Sequence, residues 1–136
     1  MLLLDTSGLL AAIDAGQRRH ADCAAVIAGR RGPFLLSPFV LAELDYLLAS
    51  RVGRVAQHAL LEEVSRGAYR LEAFDATDVE TASRVMKKYP TLDPGLADAS
   101  LVVLAARHRT RDVLTLDRRH FDVLRQLNGR PFRVWP

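Results

Sequence analysis

A chain of 136 residues, 49% hydrophobic and 26% charged, has the size and apolar content of one globular domain spanning residues 1–136, with little room for a second. No run approaches the ~20 consecutive apolar residues of a membrane span, and the opening residues lack the basic segment and long apolar stretch of a secretory signal, so a cytoplasmic protein with no membrane partner is expected. Net charge is only +3, and the single cysteine, Cys23, can form neither an internal disulfide nor a zinc knuckle and reads as a small buried residue on a helix.

In chain order, Leu2 to Leu4 reads as a short buried strand ending at Asp5, followed by a helix over Thr6 to Ala15. Residues His20 to Arg30 form an amphipathic helix, closed by Gly29 and the Gly32-Pro33 pair. Phe34 to Leu36 is strand-like. Ser37 caps the next helix, with Pro38 in its first turn, where a missing amide hydrogen costs nothing. That helix runs to about Arg51, Gly53 interrupts it, and another covers about Val55 to Arg66. Arg70 to Phe74 alternates like a strand, and Ala76 to Lys88 has helical spacing with Val79, Ala82, Val85 and Met86 on one face. A helix over Leu96 to Arg107, with Asp93 as its N-cap, precedes a strand over Val113 to Leu116 that ends at Asp117. A helix over Arg118 to Leu127 and a strand over Pro131 to Trp135 close the chain. This alternation predicts an α/β fold, an α/β/α sandwich around a short, mainly parallel sheet with right-handed crossovers.

Two strands that each deliver an aspartate at the carboxyl end, Asp5 and Asp117, point to an acidic site where ligands collect in open parallel sheets. The segment Leu96 to Ala106 is apolar all round except at Asp98 and Ser100. A buried ionised group costs several kcal/mol unless paired or metal-bound, so Asp98 needs a partner. On the helix from Pro38, Glu43 and Asp45 lie about 100° to either side of Leu44 by helical geometry, and periodicity leaves both open.

Charge distribution carries more than the small total. Arginine outnumbers lysine 17 to 2, and the stretch from Ala105 to Pro136 holds eight arginines against three aspartates. With four of the 16 acids gathered in one pocket, 19 bases face 12 remaining acids, a surface at +7 that attracts polyanions. Guanidinium is the better bidentate partner for phosphate.

Four stretches, Leu4-Asp-Thr-Ser-Gly8, Ser37-Pro-Phe-Val-Leu-Ala-Glu-Leu44, Asp93-Pro-Gly-Leu-Ala-Asp-Ala99 and Leu114-Thr-Leu-Asp-Arg-Arg-His-Phe121, resemble in order and interval the PIN-domain ribonucleases. More narrowly they resemble the VapC-type toxins of bacterial toxin–antitoxin pairs, over essentially the whole chain. The resemblance implies a catalytic acidic set of Asp5, Glu43, Asp98 and Asp117, which selects Glu43 over Asp45, with Thr6 and Ser7 in support. It implies a Mg²⁺-dependent endoribonuclease, Mn²⁺ suiting the same hard oxygen ligands. Asp5 and Asp98 are then expected to bind the ion directly, and Glu43 and Asp117 to orient its waters. The implied substrate is structured RNA of the translation machinery, a tRNA or rRNA loop whose unstacked bases can be reached. A VapB-type antitoxin and a homodimer are the implied partners, and Leu47, Leu48 and the run Ala59 to Leu61 fit either apolar surface for the latter or core packing. Arg118 and Arg119, beside Asp117, are candidate phosphate contacts. His120 in the same run reads rather as a surface histidine, and His20, His58 and His108 have no ligand spacing.

Two rival readings differ in chemistry. A catalytically inactive PIN-like RNA-binding scaffold would keep the fold without the reaction, against which the intact acidic set stands. A receiver-like phosphoacceptor domain would need an acidic pair after the first strand and a lysine near the end. Here Asp5 stands alone and no lysine follows Lys88.

Overall fold

A computed structural model describes residues 1–136. Three strands of leucine-rich sequence, β1 (Leu2–Leu4), β2 (Phe34–Leu36) and β4 (Asp112–Leu114), form the centre of a five-stranded sheet, with β3 (Arg70–Leu71) and β5 (Arg133–Trp135) at its edges in the order β3-β2-β1-β4-β5. Every pairing is parallel, with Leu3 opposite both Leu35 and Val113. Continuous apolar runs belong in such a sheet because both faces are covered, and all three leucines of β1 are fully buried.

The helices are α1 (Thr6–Ile13), α2 (His20–Ala28), α3 (Pro38–Leu47), α4 (Arg54–Ser65), α5 (Ala76–Lys88), α6 (Leu96–His108) and α7 (Arg118–Phe121). Together with the sheet they enclose one continuous core of 27 buried residues, Cys23 among them. No helix is long and apolar enough to cross a membrane. Ser37 caps α3 as its sequence predicts, its hydroxyl accepting from the Phe39 amide at 3.2 Å. The same hydroxyl lies 2.7 Å from that of buried Ser100 on α6, so the end of β2, the start of α3 and the central helix are tied at one point.

Most departures from expectation lie at element ends. The helix from Pro38 is regular only to Leu47 and continues as a π-helical turn over Leu48–Val52, which Gly53 ends at φ 140°. Only Arg70–Leu71 of the expected Arg70 to Phe74 strand pairs, because β3 is a short edge strand. On α5, Ala82 and Val85 are buried as expected while Val79 is exposed. Of the apolar residues that sequence left between core and spare surface, Leu48 and Leu60 are core residues, and Leu61 remains partly open.

The expected helix over Arg118 to Leu127 is cut to the single turn of α7, because hydrogen bonds within the following turn outcompete helix continuation. The Gln126 amide donates to Arg130 O at 2.9 Å and its side chain to Pro131 O at 3.0 Å. The Arg125 guanidinium donates to the carbonyls of Asp122, Val123 and Leu124. Asp93 is not the cap of α6. Gly95 occupies that position, and Asp93 sits exposed at φ 51° one step earlier than Pro94.

One glycine fixes how the first helix meets the sheet. A Cβ on Gly8 would stand 2.5 Å from the carbonyl oxygen of Leu114, inside contact distance of backbone that cannot swing away. The missing side chain lets α1 press against the end of β4, which brings Asp5 and Ser7 to Thr115. Gly8→Ala is therefore expected to cost about 1–3 kcal/mol by overpacking, despite alanine's better helix propensity. Urea denaturation should show the midpoint falling with the slope unchanged, and a loss too small to measure would mean that α1 slides freely over β4.

Candidate active site

Asp5 leaves the carboxyl end of β1 as the N-cap residue of α1 and is only 5% exposed. Its Oδ2 accepts from the Thr115 hydroxyl at 2.6 Å and the Ser7 hydroxyl at 2.9 Å, whereas no side chain donates to Oδ1. The two hydroxyls are 3.2 Å apart, and each is engaged again by backbone of the β4–α7 connection. Leu116 N donates to Ser7 Oγ at 3.0 Å and Asp117 N to Thr115 Oγ1 at 2.9 Å. This network orients the carboxylate without neutralising it. Burial pushes Asp5 above the ordinary carboxylate range, the hydroxyls and the Thr6 amide oppose the shift, and the charge of Asp117 adds to it.

Asp98 stands at the third position of α6, its side chain 15% exposed, and donors are scarce around it. Its Oδ2 accepts from the Gly95 amide at 3.2 Å, so it closes the start of its own helix. Burial first, then the negative charge of Asp5, push its carboxyl up to about 6. His120 and the Gly95 amide pull the other way, and Asp117 raises it further. Three carboxylates from separate chain segments thus feel one another at the sheet's carboxyl edge.

Asp117 caps α7 by accepting from His120 N at 3.1 Å, and its side chain is 38% exposed, at the mouth of the group. One turn of helix carries the His120 ring back between Asp98 and Asp117, with Nδ1 at 3.0 Å from Asp98 Oδ2 and 3.1 Å from Asp117 Oδ2. Neither approach lies along the ring N–H direction, so Nδ1 is buried at ion-pair distance from two carboxylates without an aligned hydrogen bond. The expectation of a surface histidine is corrected: the ring is 16% exposed, because the short α7 folds it inward over Asp117.

Glu43 reaches the group from α3. Its Oε2 accepts from the Thr6 hydroxyl at 2.7 Å, and Thr6 directly follows Asp5. Asp45, on the other side of the stripe, accepts from Gln57 Nε2 at 2.7 Å and so joins α3 to α4. The structure separates the pair that periodicity left open. Of the two arginines after Asp117, Arg118 is 3.5 Å from Asp122 in an exposed pair, while Arg119 has no carboxylate within ion-pair distance.

Two residues beyond the expected acidic set belong here, Thr115, which sequence reasoning passed over, and His120, which it read as a surface histidine. Thr115 is the one polar residue in the run Val113 to Leu116, and an unexplained hydroxyl in a core strand was its signal. His120 lies three residues after Asp117, the spacing of a capping turn, which was its signal.

The donor set suits a hard divalent cation. No three acidic, histidine or cysteine side chains converge closely enough to enclose an ion by themselves. Mg²⁺ ordinarily takes only one or two carboxylates and keeps its waters. A carboxylate with a free Oδ1 beside a second, mutually repelled one meets that requirement.

The chain is similar to several known proteins. Residues 2–126 match the family model for the PIN domain. Ribonuclease VapC26 of Mycobacterium tuberculosis (strain ATCC 25618 / H37Rv) is 47% identical over 135 residues, covering 99% of this chain and all of the relative. Among solved structures, VapC20 of Mycobacterium tuberculosis, described as a Sarcin-Ricin loop cleaving toxin, superposes with a TM-score of 0.85 at 23% identity over 96% of this chain and 100% of its own. The DNA-bound VapBC of Salmonella typhimurium gives 0.68 at 18% identity, over 99% and 98% of the two chains. At these identities the two structures speak for the fold.

The crowding of carboxylates has a measurable sign. An aspartate at about 6 when folded and 3.8 when free is protonated more readily in the fold, so ionisation favours unfolding. The metal-free protein should lose stability as pH rises from about 4 to about 6, and Asp98→Asn removes that loss. In EDTA near neutral pH the variant is expected to melt above the parent, with the gap closing near pH 4, while millimolar Mn²⁺ raises the parent alone. A variant that melts below the parent at neutral pH would show that the His120 and Gly95 contacts outweigh desolvation.

Proposed function

The chain belongs to the PIN-domain family, and from that premise we propose that it is a VapC-type endoribonuclease toxin that hydrolyses phosphodiester bonds with Mg²⁺, or Mn²⁺ in its place. The observation that carries the reading is the proximity of Asp5, Asp98 and Asp117 at the sheet's carboxyl edge, close enough for their charges to act on Asp98, with Glu43 held by Thr6, the residue after Asp5. A plain scaffold has no use for two buried aspartates, Asp5 and Asp98, whose carboxyls burial and neighbouring negative charge push up.

Asp5 and Asp98 are the residues to hold the cation, Asp5 through its free Oδ1. When bound there, the cation supplies Lewis acidity: it lowers the pKa of water and stabilises the charge that develops on the phosphoryl group and the leaving oxygen. Ser7 and Thr115 fix the Asp5 carboxylate, so that no reorganisation is needed when charge develops. Glu43 has Oε2 committed to Thr6, which leaves Oε1 to align the attacking water. Asp117, at the open side, aligns water at the mouth of the site. Arg119, free of any carboxylate, and Arg118, whose exposed pair with Asp122 is worth little, are our candidates for contacts to substrate phosphates.

The substrate we assign is structured RNA of the translation machinery, a loop of tRNA or rRNA, whose cleavage would stop protein synthesis. Such loops present splayed bases that a shallow surface site can reach. A VapB-type antitoxin is the natural inhibitor of such a toxin. The exposed apolar residues Tyr46, Val55 and Leu61 around α3 and α4 support a homodimer.

Purified protein with total RNA and Mg²⁺ is expected to yield discrete fragments, and sequencing the new 5′ ends identifies the bond. Asp5→Asn and Asp98→Asn should each lower the rate on the order of 100-fold or more, the equivalent of roughly 3 kcal/mol of electrostatic stabilisation. RNA retained but never cut by the parent would identify an inactive binder instead.

Thr6→Val tests the tether separately. Loss of a hydrogen bond to a charged group, about 1.5–3 kcal/mol, should lower kcat about tenfold or more with KM little changed. An unchanged kcat would mean that Glu43 is aligned without Thr6.

A further inference from the structure

A cleft of about 690 Å³ opens at the far end of α6 from Asp98, between the C-terminus of that helix and the turn before β5. Arg109, Arg111 and Arg130 line it, with Thr110, Gln126 and Asn128 between them, and no aspartate or glutamate among its walls. We propose that this cleft is a second phosphate-binding site, one that grips the RNA backbone away from the scissile bond. The proposal rests on the reading of the chain as a ribonuclease and extends it to how substrate is held.

The first reason is that these three guanidinium groups have no partner. Arg107 is paired with Glu72 and Asp78, Arg118 with Asp122 and Arg133 with Asp112, whereas Arg109, Arg111 and Arg130 have no carboxylate within ion-pair distance. They also come from two separate places: Arg109 and Arg111 from the short connection between α6 and β4, and Arg130 from the turn ahead of β5. Cations beside a helix C-terminus are commonly explained by the helix dipole. Arg107 and His108, in the last turn of α6, answer to that account and are already engaged with Glu72. Arg130, from a different segment, does not.

The second reason is how the cleft is built. Arg109 takes the left-handed conformation at φ 52°, unusual for a residue with a side chain. This turn brings the amides of Arg109 and Thr110 back to the carbonyls of Ala106 and Ala105 at 3.4 and 3.1 Å, so the negative end of the helix is covered where an anion would sit. Gln126 is buried and spent on Pro131 O, which makes it part of the frame. Asn128 accepts from Arg130 N at 3.0 Å through Oδ1, leaving its amide NH₂ group as a further donor.

Placement favours RNA over a small free anion. Eleven residues of helix separate Asp98 from Arg109, about 16 Å at 1.5 Å per residue, so a phosphate held here belongs to a nucleotide remote from the one being cut. An open cleft of arginines binds a single anion weakly, but a polyanion that already contacts the acidic end gains the release of its counterions at each added phosphate.

The test is RNA binding in EDTA, where nothing is cut, measured by fluorescence anisotropy with bulk tRNA across a range of salt. The triple variant Arg109→Ala, Arg111→Ala, Arg130→Ala is expected to bind about tenfold more weakly at 0.15 M salt. Its log–log salt slope should be shallower by about two to three, at roughly 0.7–0.9 per phosphate lost. The triple arginine-to-lysine variant should recover the slope. Should the alanine triple melt early, Arg130→Glu, alone in an exposed turn, must move affinity in the same direction. Equal affinity and slope for parent and variants would overturn the proposal. Displacement of RNA from the parent by inorganic phosphate, or by polyglutamate, at the same charge concentration as by competing RNA would also overturn it, in favour of a free-anion site or an acidic-peptide site. The two readings fail apart. If the parent never cuts RNA but the triple variant loses binding, the nuclease reading falls and the cleft stands. If the parent cuts and the variants bind like it, only the cleft falls.

Discussion

The carboxyl edge of the sheet is organised by the desolvation of Asp5. A buried carboxylate needs donors, and the ones provided are hydroxyls of Ser7 and Thr115 rather than an arginine or lysine. That choice matters electrostatically, since hydroxyls orient an anion while leaving its charge available, whereas a guanidinium would cancel it. The consequences propagate outward. Thr115 must reach Asp5, which requires α1 to press on β4, which in turn requires glycine at position 8. Asp98, forced close to an uncancelled charge, is pushed up to about 6. The site is in that sense a stored repulsion that a divalent cation would relieve.

His120 adds a second layer. Its ring lies between Asp98 and Asp117 at ion-pair distance from both, yet without a well-directed hydrogen bond to either. A group in that position fills space and moderates the field without locking the two carboxylates together. The short α7 is what puts it there. A helix continuing to Leu127, as periodicity predicts, would need the Gln126 amide for helix propagation, but the turn to Pro131 claims it. Termination of α7 and construction of the site are thus the same local event.

The layout was largely legible because the governing signals are strong and local: apolar runs for parallel strands, Ser37-Pro38 for a helix start, Gly53 for a stop, and an isolated Asp98 in an apolar helix. What escaped was decided by long-range competition. Periodicity saw Glu43 and Asp45 as equivalent flanks of one stripe, since the distinction lies in Thr6 and Gln57, 37 and 12 residues away in sequence. Asp93 looks like a cap because it precedes Pro94, but Gly95 stands at the cap and its amide donates to Asp98 three residues on. Thr115 carried a hydroxyl with no visible purpose until strand pairing brought it to Asp5, 110 residues away.

The separation of charge along α6 is the remaining regularity. Asp98 occupies its first turn, Arg107 and His108 its last, and Arg109 its cap. Each sign sits at the helix end whose dipole favours it, so the central helix lowers the cost of an acidic pocket at one end and a basic cleft at the other. A single buried helix can therefore carry opposite functional demands that would repel or neutralise each other if placed side by side. The guanidinium groups are thereby kept away from the end where the carboxylates need to stay free. Were RNA to dock at the basic end as proposed, its binding and that of a cation at the acidic end would be coupled with positive sign, because each would remove a repulsion the other faces.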